Sequence, residues 1–103
     1  MINFSYRDVR LGQDDEGYFL KCPNKKEHLT PMEFKLLGTL MANAGQIVTR
    51  NFLLANVWHY NWYGDSGTLD VHICTLRRKL GDNGRKKRVI KTIKGIGYKF
   101  SLS

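Results

Sequence analysis

Apolar positions along this chain change period part-way through. Over residues 3–29 no helical spacing is visible. Short extended runs at 4–7, 9–11, 18–22 and 26–29 are separated by turn formers at Asp14-Asp15-Glu16-Gly17 and Pro23-Asn24. These runs predict a small antiparallel sheet. From Thr30 onward the spacing becomes helical. Phe34, Leu37, Leu40 and Met41 fall on one stripe, widened by Leu36. The start signal is strong: Thr30 can cap, Pro31 fits the first helical position, and Glu33 can reach back to close a capping box. Asn43-Ala44-Gly45 ends this helix, the glycine suiting a left-handed cap. Ile47 and Val48 read as a short extended link. Thr49 caps a second helix through Trp58, with Phe52, Leu53 and Val57 predicted to face inward.

Residues 59–65 (HYNWYGD) form a loop of ordinary length with three aromatics. A third helix is predicted over 66–80, where Leu69, Ile73, Leu76 and Leu80 recur at i, i+4, i+7 and i+11 and so share one side. Gly81-Asp82-Asn83-Gly84 stops it. Two strands follow, at 88–94 and 98–102, joined by Gly95-Ile96-Gly97. The order is sheet, three helices, hairpin. That order predicts one α+β domain over 1–103, a winged helix-turn-helix with an added N-terminal sheet.

Charge changes the picture from fold to partner. Seventeen Lys and Arg oppose nine Asp and Glu, a formal net charge of +8 with a pI near 9.7. Ten of the seventeen cations lie in residues 77–99, where Asp82 is the only acid. A basic excess gathered in one helix and one hairpin points to a polyanion. With the Leu/Ile stripe buried, the third helix turns Val71, Cys74, Thr75 and Arg78 outward, flanked by Thr68, His72 and Lys79 on one side and Asp70 and Arg77 on the other. Val71 and the Thr75 methyl suit thymine methyl groups; the Thr75 hydroxyl and His72 suit base edges or phosphates. Arg77, Arg78, Lys79 and Lys91 are expected as phosphate contacts. Lys94 precedes a glycine turn (Gly95, Gly97) and suits the negative potential of a narrow minor groove. No Glu occurs after Glu33, so the interleaved Glu/Lys pattern of an ordinary solvated helix is missing.

Other chemistries are not supported. His28, His59, His72, Cys22 and Cys74 show neither C-x-x-C nor H-x3–5-H spacing, so no metal and no cofactor are expected. Cys74 reads as an inert small side chain. Asp14-Asp15-Glu16 lacks the α/β body of a phosphoacceptor domain, and no nucleophile, base and orienting group converge for catalysis. No apolar run approaches the ~18 residues of a membrane span. With no secretory signal pattern and no disulfide framework, the expectation is a cytoplasmic, bacterial-type location.

Four blocks carry a family resemblance: Thr30-Pro31-x-Glu33-Phe34-x-Leu36-Leu37; Val57-Trp58; Thr68-Leu69-Asp70-Val71-His72-Ile73-x-x-Leu76-Arg77-Arg78-Lys79-Leu80; and Ile93-Lys94-Gly95-Ile96-Gly97-Tyr98. In order and spacing the chain resembles the effector domain of OmpR/PhoB-type response regulators. The resemblance implies a four-stranded N-terminal sheet, three helices and a C-terminal hairpin wing. It implies that the third helix enters the major groove while the wing touches the neighbouring minor groove. Thr68, Val71, His72, Cys74, Thr75 and Arg77 match helix positions that meet DNA in the family, and Lys94 matches the basic wing residue. Residues 58–65 match a loop that in some members meets RNA polymerase; Tyr60, Trp62 and Tyr63 there either seal the core or present a docking surface. A receiver domain, absent from this chain, would supply phosphorylation control. The domain alone would be a monomer or weak dimer, pairing head-to-tail on direct-repeat DNA. Cys74 and Thr75 stand where relatives often carry long basic side chains, and Gly67 where they often carry a cation, so base preference does not transfer. Two rival readings are a winged-helix protein-docking module and a non-specific nucleic-acid binder.

Overall fold

A computed structural model describes residues 2–23, 25–58, 67–81 and 89–101. Four strands open the chain: β1 (Ile2–Tyr6), β2 (Val9–Asp14), β3 (Gly17–Cys22) and β4 (Lys25–Leu29), an antiparallel meander in the order β1-β2-β3-β4. The strands are longer than the extended runs at 9–11 and 18–22 predict, because the β2–β3 ladder continues from Leu11↔Leu20 to Asp14↔Gly17. Its tight turn is held by the Asp14 carboxylate, which accepts from the Glu16 N–H at 2.9 Å, and by Gly17 at φ +116°.

Helix α1 (Pro31–Ala42) begins with the capping box that the sequence predicts. The Glu33 N–H donates to Thr30 Oγ1 at 3.1 Å and the Thr30 N–H donates to Glu33 Oε1 at 2.9 Å. The chain then forms β5 (Ile47–Thr49), α2 (Arg50–Val57), α3 (Gly67–Leu80), β6 (Ile90–Ile93) and β7 (Gly97–Phe100). Strand β5 is more than a link. It pairs with β7 through Ile47↔Lys99, Val48↔Tyr98 and Thr49↔Gly97, making a second, three-stranded sheet ordered β5-β7-β6. Gly97 is therefore a strand residue under close constraint: a Cβ there would stand 2.0 Å from the Val48 carbonyl oxygen.

Helix α1 packs against both sheets and both other helices. Its Leu36, Leu37 and Leu40 are buried among Leu11 and Leu20 of the first sheet, Leu53 and Val57 of α2, Leu69, Ile73 and Leu76 of α3, and Ile90 and Phe100 of the second sheet. Leu80 is only partly buried at the end of the α3 stripe. Phe52 departs from expectation, since it is 45% exposed while Leu53 and Val57 are fully covered. The reason is rotational. Thr49 caps the helix on the Phe52 N–H, and the i, i+4 pair Leu53/Val57 takes the inward line, leaving Phe52 about 100° off it.

Candidate nucleic-acid interface

Helix α3 is fixed by its buried line of Leu69, Ile73 and Leu76, and its opposite side faces outward. Val71 is 64% exposed, and Asp70, Cys74 and Arg78 are exposed beside it. A β-branched apolar side chain this open is costly to leave in water and suits a partner that presents methyl groups. Thr75 is half-buried, and its hydroxyl donates back to the Val71 carbonyl at 3.1 Å. His72 is half-buried: Nδ1 donates to the Thr68 carbonyl at 2.8 Å, and the ring stands edge-on to Trp58 with centroids 5.2 Å apart. The carbonyl can only accept, so Nδ1 is the donor in this bond. Trp58, at the C-cap of α2, thereby anchors the flank of α3.

The wing lies beside this face. Lys94, Gly95 and Ile96 form the exposed turn between β6 and β7, closed by an Ile96 N–H bond to the Ile93 carbonyl at 2.9 Å, with Gly95 at φ +76°. The Arg50 N–H, the first of α2, donates to the Ile96 carbonyl at 3.1 Å, so the turn is tied to the start of that helix. Lys94, Val71, Cys74 and Arg78 all stand exposed on these elements.

The expected phosphate contacts separate into two groups. Arg78 is exposed. The Arg77 guanidinium is drawn instead onto the hairpin, where Nε and Nη2 donate to the Ile90 carbonyl at 3.0 and 2.7 Å and Nη2 donates to Thr92 Oγ1 at 2.7 Å. Lys79 turns toward the body of the domain. Its Nζ donates to the His28 carbonyl at 2.8 Å and to Glu33 Oε1 at 2.9 Å, with side chains 19% and 8% exposed. One ammonium thus joins α3, β4 and the capping box of α1. Burial pushes the Glu33 carboxyl up, but the hydrogen bonds from Lys79 and Thr30 outweigh it and hold the group below its ordinary range. Lys91, opposite Lys99, projects from the hairpin face away from Ile90, Thr92 and Tyr98, the face that Arg77 grips. The aromatic loop with Tyr60, Trp62 and Tyr63 and the cations Arg85, Lys86, Lys87 and Arg88 lie outside the described residues.

One constellation escapes a reading by sequence alone. Asp70, in the first turn of α3, accepts from Arg50 Nη1 at 2.7 Å and from the Tyr98 hydroxyl. Arg50 Nη2 reaches the second carboxylate oxygen at 3.4 Å. The Arg50 and Tyr98 bonds hold the Asp70 carboxyl below its usual range. The available signal was a lone acid on an otherwise cationic helix, which calls for a partner. No cluster of three His, Cys, Asp or Glu suited to a metal occurs among the described residues, and no helix there is long and apolar enough to cross a membrane.

Residues 24–100 match the family model described as transcriptional regulatory protein, C terminal. The chain belongs to that family. It is an OmpR/PhoB-type DNA-binding domain, a non-enzymatic effector module of transcription regulation. It is 45% identical over 93 residues to the alkaline phosphatase synthesis transcriptional regulatory protein PhoP of Bacillus subtilis, covering 89% of this chain and 38% of that protein. To the transcriptional regulatory protein SrrA of Staphylococcus aureus it is 34% identical over 103 residues, covering 99% and 41%. The chain therefore spans about two fifths of these curated relatives. Among solved structures, the Klebsiella pneumoniae RstA DNA-binding domain in complex with the RstA box superposes with a TM-score of 0.75 at 31% identity, covering 97% of this chain and 95% of that one. The DNA-binding domain of CpxR from Escherichia coli gives a TM-score of 0.76 at 28% identity, covering 98% and 96%. These family members share the whole winged-helix body, N-terminal sheet included.

Proposed function

We propose that this domain reads double-stranded DNA by seating α3 in the major groove while the Lys94 turn grips the adjacent minor groove. The observation that carries the reading is the outward stripe Val71, Cys74, Thr75 and Arg78, set beside an exposed cationic turn. In this reading Val71 and Thr75 supply methyl contacts to thymine, and Thr68, His72 and Cys74 line the groove. Arg78 and Lys94 clamp phosphates. Arg77 steadies the hairpin and reaches phosphate only through the outer edge of its guanidinium. Lys79 is structural, and Lys91 lies on the far side of the hairpin, where only a neighbouring stretch of backbone could meet it.

The arrangement in the whole protein follows from the kinship and is part of the same proposal. A receiver domain would control pairing by phosphorylation, two copies would bind head-to-tail on direct repeats, and the loop holding Tyr60, Trp62 and Tyr63 would face RNA polymerase, all in the bacterial cytoplasm. The test of base reading is Thr75→Ala against a panel of duplexes differing by single base pairs. A preference changed by ~1–3 kcal/mol at one base pair is expected. Identical preferences in variant and parent would remove Thr75 from the reading set.

A further inference from the structure

Helix α3 and the hairpin are expected to touch the same duplex, yet they are separate elements whose relative angle must be set by something. Two side chains of α3 do the holding. Asp70 and Arg77 are seven residues apart, two turns of helix, and so lie on the same flank. Asp70 accepts from the Tyr98 hydroxyl on β7 and, at 2.7 Å, from Arg50 at the start of α2. Arg77 bonds the Ile90 carbonyl and Thr92 on β6, and its guanidinium carbon lies 5.9 Å from the centre of the Tyr98 ring. Tyr98 is thus gripped at both ends, and it is buried while Lys94, Gly95 and Ile96 of the turn are exposed. Arg50 closes the loop through its own backbone N–H, bonded to the Ile96 carbonyl at the wing turn.

The placement of Asp70 is otherwise unfavourable. It is an exposed acid on the face expected to meet phosphates, so charge alone would count against it. We infer that Asp70 is a positioning residue for DNA recognition: by holding Tyr98 and Arg50 it fixes the angle between α3 and the wing, so that both reach one duplex together. The inference rests on the proposed use of α3 and the wing. It adds that the two contacts are coupled through one carboxylate.

Charge and positioning predict opposite signs, which makes the test sharp. Asp70→Asn removes a negative charge from the DNA face and on electrostatics alone should tighten binding. Positioning predicts that it weakens binding roughly tenfold, the size of coupling that residues in one network show. The probe is the duplex most enriched from a randomised pool, with Lys94→Ala made in the parent and in the Asp70→Asn background. In the parent, loss of Lys94 should weaken binding several-fold. With Asp70→Asn the same loss should matter less than about twofold, because the wing is already out of register. A thermal midpoint within a few degrees of the parent is expected, since the Asp70 side chain is half exposed. Should Asp70→Asn fail to fold, Tyr98→Phe removes only the hydroxyl and must show the same loss of coupling. An equal Lys94→Ala effect in both backgrounds, or tighter binding by Asp70→Asn, overturns the inference while leaving the DNA-reading proposal intact. No enriched duplex, or no effect of Lys94→Ala in the parent, sinks the reading and the inference together.

Discussion

Replacing Lys79 by methionine should destabilise the domain and leave its salt-dependent hold on DNA unchanged. Methionine keeps the apolar stem of the lysine, so the loss is electrostatic rather than one of packing. What disappears is the donor to Glu33 Oε1 at 2.9 Å and to the His28 carbonyl at 2.8 Å. Breaking a fully buried pair from one side costs ~3–5 kcal/mol, and an exposed pair ~0.2–1. This pair sits between those limits. Its carboxylate is 8% exposed and its ammonium 19%, and Glu33 keeps the Thr30 N–H. A loss of about 2–3 kcal/mol follows, equivalent to a fall in Tm on the order of 10–20 °C for a domain near 100 residues. Thermal and urea unfolding followed by far-UV circular dichroism would read it. Lys79→Met/Glu33→Gln should recover at least half of the loss, because the amide carries no charge to strand and still accepts from Thr30. The slope of log K against log salt should match the parent, whereas Arg78→Ala should flatten it by roughly 0.9. A Lys79→Met variant with parental stability and a slope reduced by about one would contradict a structural role for this ammonium. Lys79 would then be a phosphate clamp, as its place in the Arg77-Arg78-Lys79 run predicts.

Three further outcomes follow from the same geometry. Glu33 has a folded-state pKa below its ordinary value, so its contribution is fully present above that ordinary value and is lost as pH falls through the folded one; urea midpoints should drop on acidification more steeply in the parent than in Glu33→Gln, and parallel curves would contradict this. Gly97→Ala would put a Cβ 2.0 Å from the Val48 carbonyl oxygen and should cost ~2–3 kcal/mol by parting β5 from β7. Gly95→Ala, at φ +76° with open space around it, should cost only about 1 kcal/mol, and equal unfolding midpoints for the two variants would contradict the packing account.

How much of this was legible in the sequence depended on how local the determining contacts are. The capping box of Thr30 and Glu33 lies within four consecutive residues, and its signature is complete in itself, so it was predictable and is present. The stripe Leu69, Ile73 and Leu76 was equally plain from its spacing, and all three are buried. Strand β5 was not, because three residues have little pattern and their partner, Lys99 for Ile47, lies about fifty positions later. Phe52 lies about 100° round α2 from Leu53, and only the packing of α2 against its neighbours decides that the Leu53/Val57 pair, not Phe52, takes the inward line. Arg77 and Lys79 look like any surface cations in a basic run. Their destinations are backbone carbonyls, at Ile90 and His28, which no side-chain pattern announces. Asp70 was noticeable as an isolated acid, but its partners Arg50 and Tyr98 come from two other elements and required the fold to bring them together.

Whether this domain recognises a base sequence is decided by selection from a randomised duplex pool at near-physiological salt. Enriched sites arranged as direct repeats about one helical turn apart, ~10 bp, are expected, with Thr75→Ala enriching a different sequence. Binding that falls with salt equally for every duplex, with no sequence enriched, would contradict it and leave a non-specific clamp.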